Sequence, residues 1–288
     1  MIRLENVGLI FGQGADTIAA LKNISLTVQP GDFITIIGSN GAGKTTLYNA
    51  ISGSCIPTSG RIFLQQATAS NPAGNPASNP PERRAERRAV RDITREAEFK
   101  RARYIGRIFQ NPLLGTAGKM TLADNMMICH KKGYKGLRIS LTKSMREHFR
   151  EELRILGMGM ENRLDDNVEL FSGGQRQALT LLMTVMSRPN LLLLDEHTAA
   201  LDPHNAEIIM DLTLRFAKDF HLTVMMITHN MNQALQAGNR LLMMDAGEII
   251  LDIDAAEKAQ LTTRDIIQRF RDIKKQELVN DEMLLNNE

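Results

Sequence analysis

The stretch FITIIGSNGAGKTT, Phe33 to Thr46, decides how the chain is read. Its first half runs apolar without alternation, as a strand buried on both faces does, and parallel sheets are built from such strands. Its second half, Gly38 to Thr45, fits the pattern G-x-x-x-x-G-K-[ST]. Gly38, Ser39, Asn40, Gly41, Ala42 and Gly43 form a loop whose backbone N–H groups can wrap a phosphate chain, and the helix behind it adds positive potential at its N-terminus. In such a loop Lys44 reaches the β- and γ-phosphates, Thr45 ligates Mg²⁺ and Thr46 supports the α-phosphate. Leu47, Ala50 and Ile51 share one face of that helix. Strand, glycine-rich loop and helix in this order predict a parallel α/β core.

Upstream, ISLTV alternates (Ile24, Leu26, Val28) and QPGD turns into the next strand, so the first thirty residues read as an antiparallel sheet. Downstream, NLLLLDE and LTVMMITHN are two more buried strands, and RLLMMDAGEIILD is a hairpin turning at Asp245-Ala246-Gly247. Residues 119–170 are mostly helical, and LTTRDIIQRFRDI, within a tail from 254 to 288, is amphipathic. Residues 66–97 break the pattern. NPAGNPASNPP cannot form helix or inner strand and reads as an extended tether. The basic run after it, with Arg88–Asp92 and Glu96–Lys100 at helix spacing, reads as a short solvated helix. That insertion is either a surface excursion or a contact for anionic lipid or an acidic partner.

The chain of 288 residues has room for a full core and one or two subdomains. Its 35 basic and 33 acidic side chains leave a net charge of +2, which argues against a direct nucleic-acid partner. Cys55 and Cys129 make no disulfide framework and share no metal spacing, so a reducing compartment is expected. Glu5 interrupts the opening residues where a secretory leader would stay apolar, and no apolar run approaches the ~20 residues of a membrane span.

Four further residues gather at strand ends. Asp195 closes the LLLL strand, where a carboxylate can meet Mg²⁺, and Glu196 follows as a group able to orient or deprotonate water near a γ-phosphate. His229 closes the ITH strand and can touch the γ-phosphate while holding Glu196. Gln110, in IFQNP, offers an amide to Mg²⁺ and to the attacking water. A different question is posed by FSGGQR, residues 171–176. Ser172 and Gln175 make a capping box, yet Gly173 and Gly174 each cost about 1 kcal/mol in a helix relative to alanine. Something is expected to approach that backbone closely.

The ordered set GSNGAGKT, FQ, FSGGQ, LLLLDE, ALD and ITH resembles the ATP-binding-cassette ATPases over residues 1–253, outside the 66–97 insertion. The resemblance implies a P-loop NTPase (RecA-like) core with an antiparallel β subdomain and an α-helical subdomain (119–170), with ATP and Mg²⁺ as ligands. It implies that the Ser172-Gly173-Gly174-Gln175 backbone caps the γ-phosphate of ATP held by a second protomer, making a two-fold dimer of this chain or of this chain with a homologous ATPase subunit. Phe11 falls where these proteins set an aromatic ring against adenine, unless it is an ordinary core residue. Asp202 matches the loop that crosses the dimer interface. Leu113, Leu114, Met120, Met126 and Met127 follow Gln110 where a membrane subunit's coupling helix docks, unless they fill the subdomain's own core.

The chain departs from the commonest pattern at Phe171, at Phe11 and at His197, which stands where proline is usual. DEHTAALDP resembles a subgroup of bacterial cassettes that serve binding-protein-dependent importers. EFKRARYIG fits that subgroup and the Asn-Pro insertion does not. The implied protein is an ATP hydrolase on the cytoplasmic face of the membrane, driving permease subunits and, through them, served by an extracytoplasmic binding protein for small solutes such as amino acids. A signalling or scaffolding cassette of a membrane complex is the alternative reading. A ribosome- or DNA-associated cassette fits less well, since the chain holds one cassette and no heptad run.

Overall fold

A computed structural model describes residues 1–12, 16–65, 90–130 and 141–273. The chain opens with an antiparallel pair, β1 (Ile2–Phe11) and β2 (Ile18–Val28), with Leu4 opposite Leu26 and Phe11 opposite Ile18. β3 (Phe33–Gly38) then runs into α1 (Lys44–Ser52). β4 (Ser59–Gln65) returns to pair with β1, and β5 (Val90–Asp92) pairs with β4, so the first sheet has the order β2-β1-β4-β5.

α2 (Glu98–Arg101) leads to β6 (Ile105–Ile108) and the helical region, α3 (Leu122–His130) and α4 (Lys143–Arg154). α5 (Gly173–Met186), β7 (Leu191–Asp195), α6 (Pro203–Asp219), β8 (Val224–Ile227) and α7 (Met231–Gln236) alternate in the manner of a parallel sheet. The hairpin β9 (Arg240–Asp245) and β10 (Glu248–Ile253), α8 (Ala255–Lys258) and a helical stretch at 263–273 follow. The second sheet has the order β10-β9-β3-β8-β7-β6, parallel except at its β10 edge.

The uninterrupted apolar runs become the central strands for a physical reason. Along β7, Leu191 and Leu193 face the core shared with α1 and the antiparallel sheet, while Leu192 and Leu194 face the core shared with α3, α4, α5 and α6. Both faces are covered, and each such side chain contributes roughly 1.5–3 kcal/mol on burial. A third, smaller core holds Ile266 of the 263–273 helix against Ile37, Leu241 and Met243. No helix among the described residues is long and apolar enough to cross a membrane.

One expectation needs correction and one alternative is decided. Residues 66–89, with the tether and Arg88, lie outside the described residues. The solvated helix expected to follow is absent over 90–97, where the backbone forms β5 and a turn. Asp92 Oδ1 accepts from Thr94 N (2.9 Å) and Thr94 Oγ1 (2.6 Å), and the Thr94 hydroxyl oxygen accepts from Ile62 N (2.8 Å). A short side chain that bonds nearby backbone outcompetes helix here, and Glu96 pairs with Arg91 rather than Lys100. Of the two readings given for the residues after Gln110, Met126 and Met127 take the second and fill the helical core, whereas Leu113, Leu114 and Met120 are exposed. Of the basic stretch within 119–170, residues 131–140 are outside the described set.

Candidate active site

β3, β6, β7 and β8 are mutually parallel, so their C-terminal ends share one edge, the usual place for a ligand in such sheets. The loop after β3 bends into α1 at Gly43, whose φ of 96° an L side chain rarely adopts. α1 has no side-chain cap at Gly43 and no acidic residue in its first turn. Its unpaired N–H groups are left for an anion. Lys44 Nζ curls back to donate to Gly38 O (2.8 Å) and Ser39 O (2.9 Å). Burial pulls its ammonium below the ordinary lysine range, with Glu196 and Asp195 pulling back.

An open cavity of about 640 Å³ is lined by Asn40 to Thr46, by Ile18, Ala19, Ala20 and Lys22 of β2, and by Glu196. Phe11, 45% exposed, ends β1 opposite Ile18, which lines the cavity, though Phe11 itself does not line it. A second pocket of about 450 Å³ shares Thr45 and Glu196 and adds Arg107, Phe109, Gln110 and Asp195. Thr45 Oγ1 donates to Asp195 Oδ1 at 3.4 Å. A hydroxyl, a carboxylate and the Gln110 amide on one pocket wall are hard oxygen donors few in number, which suits Mg²⁺ because it keeps several waters and shares its remaining positions with phosphate.

Glu196 Oε1 and His229 Nε2 stand 2.6 Å apart, although β8 itself ends two residues earlier at Ile227. Glu196 is held at φ 49°, a conformation costing about 1–3 kcal/mol that persists where the surroundings enforce it. Its backbone N–H donates to Ile227 O (3.2 Å), which ties the ends of the two neighbouring parallel strands together.

Ser172 to Gln175 and Asp202 line neither pocket. They lie together where α5 and α6 begin, with Gly173 and Gly174 beside Leu201 and Asn205. The capping box is present, with Gln175 N donating to Ser172 Oγ (3.2 Å) and Ser172 N to Gln175 Oε1 (3.1 Å). Asp202 caps α6 through Asn205 N (3.1 Å), and its bonds to Asn205 hold its carboxyl below the usual range. The two glycines separate here. A Cβ on Gly174 would sit 2.5 Å from Asn205 Oδ1, so packing within the chain demands glycine. A Cβ on exposed Gly173 would meet only Leu201 Cδ2, at an ordinary 3.7 Å. Nothing within the described chain requires that glycine.

Two residues near the site escaped the sequence reading. Gln177 on α5 is 1% exposed, and its Nε2 donates to His197 O (2.7 Å) and Phe109 O (3.3 Å), the neighbours of Glu196 and Gln110. A polar residue on the buried face of ALTLLMTV was its only signal. Arg107, inside β6, pairs with Asp195 at 3.0 Å. His197 itself is buried. Thr213 Oγ1 gives its proton to Ile209 O (2.8 Å), so His197 Nε2–H donates to that hydroxyl (3.0 Å), and burial pushes the imidazole down to about 4.

A phosphate loop, an acidic pair and a histidine on one edge of a parallel sheet define a P-loop NTPase. The family described as ABC transporter matches residues 21–199, and the chain belongs to that family. It is accordingly an ATP hydrolase using ATP and Mg²⁺. It is 35% identical over 274 residues to the tyrosine transport ATP-binding protein of Clostridioides difficile (strain R20291), covering 94% of this chain and 98% of that one. It is 31% identical over 291 residues to methionine import ATP-binding protein MetN 2 of Enterococcus faecalis (strain ATCC 700802 / V583), covering 99% and 75%. A nucleotide-free ATP-binding cassette from an ABC transporter superposes with a TM-score of 0.67 at 25% identity, over 90% of this chain and 92% of that one. The dimeric cassette MJ0796 bound to ADP and Pi superposes at 0.66 and 24% identity, over 88% and 99%.

Proposed function

We propose that this chain is the ATP-hydrolysing subunit of an amino-acid importer, working as a dimer in which each protomer completes its partner's site. The observation that carries the dimer is Gly173, an exposed glycine in a helix where a Cβ would meet only Leu201 Cδ2, at an ordinary 3.7 Å. A γ-phosphate held by the partner's loop is the group that needs the approach. The amino-acid cargo is supported by the printed names of the tyrosine and methionine relatives.

Within one site Lys44 and the Gly38–Thr46 backbone bind the phosphates, and Phe11 stacks on the base. Thr45, Asp195 and Gln110 would hold Mg²⁺, which would supply charge neutralisation at the phosphates. Glu196 takes the attacking water's proton, while His229 holds Glu196 in place and contacts the γ-phosphate. Ser172, Gly173, Gly174 and Gln175 cap the γ-phosphate of the opposite site, and Asp202 couples the two. Catalysis is then mostly positioning and electrostatics. Residues 1–253 are the nucleotide-binding domain, carrying the 66–97 insertion and the 119–170 helical subdomain, with 254–288 as a tail. Exposed Leu113, Leu114 and Met120 receive a permease at the cytoplasmic face. Closure on ATP pulls on that permease and hydrolysis releases it.

Affinity purification from detergent-solubilised host membranes tests this reading. A multi-span permease in stoichiometric amount, with a binding protein that takes up an amino acid, is the expected result. Recovery only from the soluble fraction, or with ribosomes or DNA, overturns the transport role.

A further inference from the structure

Asp195 is not alone in its pocket. Arg107 Nη2 lies 3.0 Å from Asp195 Oδ2, with both side chains 11% exposed. The guanidinium is fixed from two more sides: Nη1 donates to Asn49 Oδ1 at 2.7 Å, and its carbon sits 4.7 Å from the centroid of the Phe109 ring. Arg107 Nε is buried with no partner among the described residues. A fork held this way cannot follow a moving carboxylate, so the carboxylate is held by the fork. The oxygen it occupies is Oδ2, and the oxygen facing Thr45 Oγ1 is Oδ1.

We infer that Arg107 is a positioning residue and resident counter-charge for the metal site, keeping Asp195 Oδ1 turned toward Thr45 while moderating the site's attraction for a divalent cation. The inference rests on the assignment of Thr45 and Asp195 as the residues that hold Mg²⁺. Lys44 and Arg107 face Asp195 and Glu196 across this edge, two positive groups against two negative. Removing Arg107 leaves the pocket net negative, which favours a divalent ion, and frees Asp195 to rotate. Affinity for metal rises and turnover falls. A residue that merely supported the fold would lower both or neither.

The test uses the full chain with Mn²⁺ as a paramagnetic probe and a non-hydrolysable ATP analogue. Free Mn²⁺ is read by electron paramagnetic resonance, and nucleotide affinity is read separately in EDTA. Arg107→Met is expected to bind Mn²⁺ roughly 3- to 10-fold more tightly, to keep its metal-free nucleotide affinity, and to lose turnover. Arg107→Lys restores the charge without the fork, so Mn²⁺ affinity returns to that of the unaltered protein while turnover stays low. Unchanged or weaker Mn²⁺ affinity in Arg107→Met overturns the inference, as does identical metal affinity in the Met and Lys proteins. Should Arg107→Met fail to fold, Arg107→Gln removes the same charge and carries the same expectation. Asp195→Asn is the comparator. If its Mn²⁺ affinity is intact, the metal assignment itself fails. If it is impaired while Arg107→Met is unchanged, only the role of Arg107 does.

Discussion

His229 Nε2 meets Glu196 Oε1 at 2.6 Å across the ends of two neighbouring parallel strands. The contact joins a carboxylate that is 16% exposed to an imidazole that is 47% exposed, so the inner partner is the one to be held and the outer one is free to reach a ligand. Glu196→Gln keeps the shape and removes the proposed base. It is expected to hold an ATP-bound dimer and to lose turnover by about 10²–10⁴-fold. Size-exclusion chromatography with ATP and a phosphate-release assay check both, and undiminished turnover would remove Glu196 from the mechanism.

The paired glycines separate stability from function. Gly174→Ala drives a Cβ into Asn205 and is expected to cost about 1–3 kcal/mol of stability. Gly173→Ala meets no such neighbour, so its monomer should melt no lower than the parent, because alanine is the better helix former by up to ~1 kcal/mol. Its ATP turnover should fall nonetheless. Thermal melts beside ATPase rates on the two proteins decide the matter: a Gly173→Ala enzyme of full activity would mean that nothing approaches that backbone.

Acid stability should report on His197. Its imidazole titrates at about 4 in the fold and near its ordinary 6.5 when unfolded. The unfolded chain therefore binds the extra proton between those values, and stability falls as pH drops through that window by about 3 kcal/mol at most. His197→Gln carries no titrating group, so urea melts at pH 7 and at pH 4.5 should differ less for it than for the parent.

Arg101 is fully buried, and its five N–H groups donate to the carbonyls of Glu96, Ala50, Ile51, Ile93 and Thr94 at 2.5–2.9 Å. It thereby caps the C-terminal end of α1, the helix that carries the phosphate loop at its other end. Arg101→Met leaves those carbonyls unmet and should cost about 3–5 kcal/mol. Arg101→Lys should recover little of that, having three donors where five are needed. Chemical denaturation measures each.

Much of this was legible in the sequence because it is local. Phe33 to Thr46 encodes a strand, a turn and a helix N-terminus within one stretch, and the apolar runs at Leu191–Leu194 and Val224–Ile227 announce strands covered on both faces. The capping box of Ser172 and Gln175 is likewise a four-residue event. Pairings between distant residues were not legible. Arg107 reads as an ordinary strand arginine until β6 is laid beside β7, which brings Arg107 level with Leu193, two positions before Asp195. Gln177 reads as a surface amide until His197 O and Phe109 O close over it. The helix expected around Glu96 failed for a local reason, the Asp92–Thr94 turn, and for a less local one. Arg91 and Glu96 find tertiary partners, including Tyr104, that helix spacing could not announce.

The pairing of Gln65 with Val90 on β4 and β5 reaches beyond the ATPase. The chain leaves its sheet and rejoins it at directly opposed positions, and Thr94, Asp92 and Arg101 fasten the point of return. The two described ends, Gln65 and Val90, are thereby held side by side. Neither Gln65 nor Val90 lines the pockets of the nucleotide site, so a change of length between them is expected to leave ATP turnover intact. The same position is a ready-made port for grafting a tag, a fluorophore or a foreign domain onto a working cassette.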